Sequence, residues 1–381
     1  MPLRIVIDAR HVRDFGVGTY IRSLAGSLSA IDSETRYTLV STPEDTAALG
    51  GLGANFSVVT YPRRDSQYAD HLAFPLFLRR FQPDLVHIPL NRVPVLMTRP
   101  YVVTIHDMAN LYYDSLQSGV RMALRRWNFR RGLLRADRVL AVSEATSREV
   151  QKSMGVSPRR IRVIYNAPDP AFFAAAPPGV DDPERRRIME RYQVQYPYLL
   201  YAGNIRPHKN IPRLVEAFAV LRGELASHPV YRELRLIIIG DQISQYPQVR
   251  HAVIKSRVES VVRFLGFVPF DALRCFYASA AAFVFPSRHE GFGLPPLEAM
   301  ATGAPVVCSN VSSLPEVVGD AAMLVNPENV FEIARGIREV LLDDTLRQEM
   351  IRKGRRQAAK FSWDRTAREV LEIYQETARK R

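Results

Sequence analysis

No run in this chain approaches the ~18 consecutive apolar residues that a helix needs to cross a bilayer. The opening MPLRIVIDAR offers only Ile5, Val6 and Ile7 before Asp8, too short for the core of a signal peptide. Cysteine is almost absent: Cys275 and Cys308 are the two in 381 residues. That pair suits a reducing compartment and cannot make a zinc site alone, and Cys308, inside the apolar run APVVC, reads as core. The expected location is the cytoplasm, with the inner face of the membrane as the candidate place of work. Hydrophobic residues make up 47% of the chain, enough for full cores, and the length exceeds one ordinary domain.

Acidic side chains are missing from one long stretch. Between Asp114 and Asp137 there is none, while Arg121, Arg125, Arg126, Arg130, Arg131 and Arg135 stand among Trp127, Phe129, Leu133 and Leu134. With a net charge of +13, two partners suit such a segment. An anionic membrane surface gains about 1 kcal/mol per nearby basic residue, and nucleic acid offers phosphates. The arginines fall on several sides of a helical projection, so this is no clean amphipathic membrane helix. A helix half packed in a core with solvated arginines fits equally. No reading helix, zinc spacing or aromatic platform supports nucleic acid, so none is expected as a partner, and a peripheral contact with an anionic membrane stays a candidate.

What is present is an alternation of short β-branched runs with helical stretches, the signature of parallel α/β sheets. The runs are Arg4 to Ile7, Tyr37 to Val40, Leu85 to His87, Tyr101 to Ile105, Arg138 to Val142 and Arg162 to Ile164, then Tyr198 to Ala202, Leu234 to Ile239, Val262 to Leu265, Ala282 to Phe285, Pro305 to Cys308 and Met323 to Val325. Between the two sets lies NAPDPAFFAAAPPGVDDPERRR, whose proline, alanine and charge mark a linker, with the boundary near residues 168 to 195. Two doubly wound sheets follow. Ligands of such sheets bind outside the carboxyl ends of the strands, so the two are expected to face each other across a cleft that holds the site.

The most informative motif is EGFGLPPLE, directly after the run AAFVFPSR. Glu290 and Glu298 flank Gly291, Phe292, Gly293 and Leu294, and Pro295 and Pro296 mark the first turn of a helix, where a missing amide does no harm. A glycine loop feeding a helix N-terminus offers free amides and the positive end of the dipole to a phosphate. A carboxylate at Glu298 suits a neutral partner such as the paired hydroxyls of a ribose. A solvated strand-turn-helix corner explains either glutamate alone and the combination less well. Upstream, YAGNIRPHKN places Gly203 and Asn204, then Arg206, His208 and Lys209, between a strand and a helix. Arginine brings a bidentate fork and lysine a point charge, a pair suited to a diphosphate. The picture is a nucleotide site.

The order of GVGTY (Gly16 to Tyr20), TIHD (Thr104 to Asp107), GNIRPHKN (Gly203 to Asn210), EGFGLPPLE and TGAPVVCSNVSSLPEVVGDAAMLVNP (Thr302 to Pro327) resembles the retaining glycosyltransferases of family 4, over nearly the whole chain. The resemblance implies the GT-B fold, α/β, with two Rossmann-like domains: residues 1–180 as acceptor domain, 190–361 as nucleotide-sugar domain, and a terminal helix 362–381 returning to the first. Ser362 reads as its N-cap, and Ala367, Val370, Leu371 and Tyr374 as its buried face.

The resemblance also implies transfer of a sugar from a nucleotide donor with retention of configuration, to a glycan or lipid-linked acceptor in cell-envelope polysaccharide synthesis. It implies no metal and no cofactor. GDP-mannose is the preferred donor, since the GVGTY and PHKN forms are similar to mannosyltransferases of the family. By the same resemblance Arg206 and Lys209 hold the diphosphate, Glu298 the ribose, and Glu290 with the amides of Gly291 to Leu294 the donor sugar and its phosphate. His106 meets the transferred sugar, Asp107 stands beside it, and the Gly16 to Gly18 loop lets backbone approach diphosphate or acceptor.

The chain departs from the family where Asn204 follows the opening glycine in place of a basic residue, and where His208 precedes the lysine in place of arginine, a partial substitute if charged. His87 and the Ser143-Glu144 pair read as structural, the latter as a helix cap. An epimerase acting on a nucleotide sugar is the other enzyme class the motifs allow. A dinucleotide dehydrogenase is disfavoured, because GVGTY truncates the full glycine fingerprint.

Overall fold

The computed structural model describes residues 2–63, 69–109, 119–174, 182–241 and 243–379, with the side chains of 120–122 left aside. Asp114, the side chain of Arg121 and residues 175–181 of the linker lie outside the described residues. The chain forms two compact units, Met1–Asn166 with Ser362–Arg381, and Ala167–Phe361.

The first unit is built on a wholly parallel sheet of β1 (Arg4–Asp8), β2 (Arg36–Ser41), β3 (Phe56–Thr60), β4 (Leu85–Ile88), β5 (Tyr101–Ile105), β6 (Arg138–Ala141) and β7 (Ile161–Val163). Their order is β3-β2-β1-β4-β5-β6-β7. Central strands such as YVVTI are buried on both faces, which is why they read as unbroken apolar runs. The order reverses between β1 and β4, so the carboxyl ends of these strands flank the crevice where open α/β sheets take ligands. Just past β1 the ion pair of Asp8 and Arg10 is 2.7 Å long with both side chains 1% exposed. The Arg10 guanidinium also lies 3.6 Å from the centre of the Phe74 ring.

β3 escapes the sequence pattern because it is an edge strand with Ser57, Val58 and Thr60 facing solvent. The C-terminal helix (Trp363–Arg379) begins at Ser362, whose Oγ accepts the Arg365 amide at 3.1 Å. It buries Ala367, Val370, Ile373 and Tyr374 and packs on the helix Val17–Ile31 of the first unit. Leu371 is only half-buried, and Ile373 fills that face instead.

The second unit repeats the plan with β8 (Tyr198–Ala202), β9 (Arg235–Ile239), β10 (Val262–Gly266), β11 (Ala282–Phe285), β12 (Val306–Ser309) and β13 (Met323–Val325). The order is β10-β9-β8-β11-β12-β13, again all parallel. Here the reversal falls between β8 and β11. These are the two strands that precede GNIRPHKN and EGFGLPPLE.

Candidate active site

The sequence of the second unit places two charged loops at one reversal point, and their side chains meet. Lys209 Nζ donates to both carboxylate oxygens of Glu290, at 2.7 and 2.9 Å, with the side chains 11% and 10% exposed. The ammonium also sits 5.2 Å from the centre of the Phe285 ring, at the end of β11. The backbones are joined too, since the Arg288 amide donates to the His208 carbonyl at 2.8 Å. Arg206 stands apart from this pair: it is exposed, and its Nη1 donates to Tyr246 Oη at 3.0 Å. Gly203 and Asn204 form the turn after β8, the carbonyl of Asn204 accepting the Tyr201 hydroxyl at 3.1 Å.

His208 does not replace a cation at neutral pH. Burial, with Lys209 next to it, pushes its imidazole down to about 4, so it is neutral where the family's arginine is charged.

The helix Leu294–Thr302 starts at Gly293 with prolines in its first turn. Those prolines remove two of the amides a helix start normally leaves unpaired, so the donors left there are fewer than the motif suggests. The Gly293 and Leu294 amides donate to no described residue. Gly293 has φ +124, a conformation that strains any residue with a side chain, and a Cβ on it would come within 2.8 Å of Leu314 Cδ2.

Ser312 and Ser313 tie the same loop down. Ser312 Oγ accepts the Glu290 amide at 3.1 Å and donates to the Glu290 carbonyl at 2.6 Å. Ser313 Oγ reaches the Phe292 carbonyl at 2.6 Å. Ser312 itself is held at φ +60, a left-handed conformation unusual for a residue with a side chain.

Glu298 faces a different neighbour. Its Oε2 accepts the Tyr277 hydroxyl at 3.0 Å. Burial raises its carboxyl to about 7, opposed by the Tyr277 bond and reinforced by Asp169. Tyr277 belongs to the helix Phe270–Ser279 and packs against Phe172.

In the first unit, His106 follows β5 directly. Burial pushes its imidazole down to about 4, against a hydrogen bond to the Pro89 backbone. Proline offers only a carbonyl, so the ring must donate. Nε2 is enclosed with no partner among the described residues, which leaves Nδ1 as the donor and Nε2 as a lone pair able to accept from a hydroxyl. Asp107 shapes the loop, its Oδ1 accepting the Ala109 amide at 3.0 Å. Gly16 opens the helix Val17–Ile31 at φ +50. A Cβ on Gly18 would lie 2.4 Å from the Val12 carbonyl oxygen. The missing side chain of Gly18 is therefore used by the protein's own backbone. His87 and Ser143 are structural: His87 has both ring nitrogens bonded inside the core, and Ser143 Oγ accepts the Thr146 amide at 3.0 Å.

Tyr277, Ser312, Ser313 and Tyr246 support these side chains and were not singled out from sequence. Ser312 and Ser313 lie within the motif series, so a signal existed for them. Tyr277 lies 21 residues from its partner Glu298 in an ordinary helix and carries no local signature. No group of His, Cys, Asp and Glu among the described residues is arranged to hold a metal.

Two family descriptions match the chain: Glycosyltransferase Family 4 over residues 16–172 and Glycosyl transferases group 1 over residues 184–357. An O-antigen chain mannosyltransferase B of Escherichia coli is 32% identical over 300 residues, covering 78% of this chain and 75% of that one. The serotype-specific mannosyltransferase WbdA of Escherichia coli is 34% identical over 242 residues, but the match spans only 28% of its length. Among solved structures, a glycosyltransferase from Rickettsia africae superimposes with a TM-score of 0.76 at 17% identity, covering 99% of this chain and 98% of that one. Anabaena HepE in complex with UDP-glucose gives 0.76 at 17% identity, covering 98% and 100%. At such identities the structures speak for the fold, which is GT-B. The chain belongs to the family 4, group 1 glycosyltransferases. It is a glycosyl-transferring enzyme.

Proposed function

We propose that the protein transfers mannose from GDP-mannose, with retention of anomeric configuration, to a glycan or lipid-linked acceptor in cell-envelope polysaccharide synthesis. The observation that carries the donor site is the meeting of Lys209 and Glu290 at the β8–β11 reversal, the place where open α/β sheets take ligands. The relatives named as mannosyltransferases support the choice of sugar.

In this reading a donor phosphate takes the Lys209 ammonium, and Glu290, partly released, accepts hydrogen bonds from the donor sugar. Arg206, exposed and pivoted on Tyr246, reaches the second phosphate. The amides of Gly293 and Leu294 face the same anion, and Glu298 holds the ribose hydroxyls. His106 Nε2 accepts a hydroxyl of the transferred sugar. The acceptor oxygen forms its bond to the anomeric carbon on the face from which the diphosphate departs. The carbon–oxygen bond to the diphosphate breaks with its electron pair on the leaving group, and a phosphate oxygen takes the acceptor proton. Charge grows on the leaving phosphate, and Lys209 and Arg206 stabilise it there, the kind of electrostatic contribution that is largest in such steps.

The test is transfer from GDP-mannose, UDP-glucose and ADP-glucose, each with a mannosylated acceptor, read by nucleoside diphosphate release and by the anomeric proton of the product. Preference for GDP-mannose with an α-linked product supports the reading; preference for another donor or a β-linked product contradicts it.

An anionic bilayer is the proposed second partner, at the inner face of the membrane. No described helix is long and apolar enough to cross one. The helix Val120–Arg135 exposes Trp127 (53%) and Leu124 (46%), with the Arg131 guanidinium 5.5 Å from the Trp127 ring. Arg135, the last residue of that helix, also lines a groove of about 540 Å³ together with exposed Leu72, Leu76 and Leu96 and with Arg79. Apolar side chains edged by arginine complement an anionic lipid surface. Flotation with phosphatidylglycerol vesicles, reduced in Trp127→Glu and absent with phosphatidylcholine alone, is the expected result; equal flotation of the variant overturns it.

A further inference from the structure

Four polar side chains in the core of the first unit form one chain of hydrogen bonds that ends beside His106. Tyr374 Oη on the C-terminal helix lies 2.6 Å from His87 Nδ1. His87 Nε2 lies 2.7 Å from Thr104 Oγ1, and Thr104 Oγ1 lies 3.1 Å from Tyr20 Oη. All four are at most 1% exposed. Burial keeps the His87 imidazole neutral, pushed down to about 3, so one ring nitrogen donates and the other accepts.

The members sit on four different elements: the helix Val17–Ile31, β4, β5 and the C-terminal helix. Three of these elements are also what holds His106. The Tyr20 ring meets the His106 ring edge to face, with centres 4.8 Å apart. Pro89, which takes the Nδ1 hydrogen bond, stands two residues after His87. Thr104 stands two residues before His106, on β5. The C-terminal helix touches the assembly twice, through Tyr374 and through Trp363, whose ring centre is 6.0 Å from that of Tyr20.

We propose that Tyr374, His87, Thr104 and Tyr20 are positioning residues that hold His106 in one ring orientation and one tautomer, so that the C-terminal helix sets the sugar-contacting histidine of the first unit. The proposal rests on the assignment of His106 to the sugar. Its physical basis is that a fully buried donor–acceptor chain has few alternative arrangements, since each broken link leaves a buried polar group unpaired. The Tyr20 ring is thereby pinned at its hydroxyl end, and His106 packs on a wall that cannot turn.

The experiment reads the His106 ring by long-range proton–nitrogen NMR of the 15N-histidine-labelled protein, the signal being assigned by its loss in His106→Asn. Wild type is expected to show the Nδ1–H tautomer alone. Tyr374→Phe and Tyr20→Phe, which keep the rings and delete one hydroxyl each, are expected to show a mixture with the Nε2–H form. They should also lower kcat about tenfold while changing the Kd for GDP less than twofold.

Val370→Ala, a buried position of the same helix outside the chain of bonds, supplies a variant that loses stability without touching it. It should keep the wild-type tautomer and kcat. A tautomer mixture in Val370→Ala equal to that in Tyr374→Phe overturns the proposal, as does a wild-type spectrum in both tyrosine variants. Transfer by His106→Ala separates the two levels: if it keeps wild-type kcat, the sugar assignment has failed and the proposal falls with it. If it loses transfer while both tyrosine variants keep theirs, only the positioning role has failed.

Discussion

Lys209 and Glu290 lie 81 residues apart in the chain and form a two-pronged ion pair, one ammonium on both oxygens of one carboxylate. Each side chain is about nine-tenths removed from solvent. Removing one partner of such a pair leaves the other charge buried and alone, at about 3–5 kcal/mol. Lys209→Ala is therefore expected to lower the melting temperature as well as cutting transfer by well over tenfold. The double variant Lys209→Met with Glu290→Gln should regain most of the stability and none of the transfer. Melting curves and initial rates on the same samples check this; transfer restored by the double variant contradicts the catalytic assignment.

Glu298 links stability to pH. Its carboxyl is raised to about 7 in the folded protein against 4.5 for an ordinary glutamate. The folded state then holds a proton that the unfolded state has released, so this contribution is fully present below about 4.5 and is lost as pH rises through 7. Wild type should lose about 1–3 kcal/mol relative to Glu298→Gln across that window. Parallel melting curves from pH 4.5 to 7.5 measure the difference, and parallel lines for the two proteins contradict the raised value.

Ser312 separates strain from hydrogen bonding. At φ +60 a residue with a side chain gives up about 1–2 kcal/mol that glycine does not. Ser312→Gly should relieve that strain while releasing the Glu290 backbone, and Ser312→Ala should release it with the strain kept. Both are expected to raise the donor KM severalfold, with the glycine variant the more stable. An unchanged KM in both shows that the two hydroxyl bonds do not organise the loop.

His106 should act as a neutral acceptor. With its imidazole pushed down to about 4, the neutral form is complete by pH 6. Transfer should show no histidine-like rise between pH 6 and 8, and His106→Ala should lower kcat tenfold or more, about 1.4 kcal/mol. A rate limb near 6.5 that vanishes in His106→Ala contradicts the neutral assignment.

The central strands were legible because they are buried on both faces, so their apolar runs carry no polar interruptions, as in YLLYA and AFVF. β3 was not, since an edge strand with exposed Ser57 and Thr60 shows no such run. The loops after β8 and β11 were legible as strand-to-helix turns because glycine and proline punctuate them. The partners of the site residues were not: Lys209 with Glu290, Glu298 with Tyr277 and Glu290 with Ser312 are contacts made by folding across 21 to 81 residues, and single-sequence periodicity does not reach that far. His208 stands where the resembling family has arginine and would substitute for it only if charged; burial, visible only in the fold, pushes its imidazole down to about 4.

The most direct measurement is isothermal titration of GDP, UDP and ADP, each with its sugar conjugate, into wild type and Glu298→Ala at moderate salt. The account predicts that wild type binds one nucleotide series, GDP first, and that Glu298→Ala weakens the whole series more than tenfold. Equal affinities in the two proteins, or no binding by wild type, contradict it.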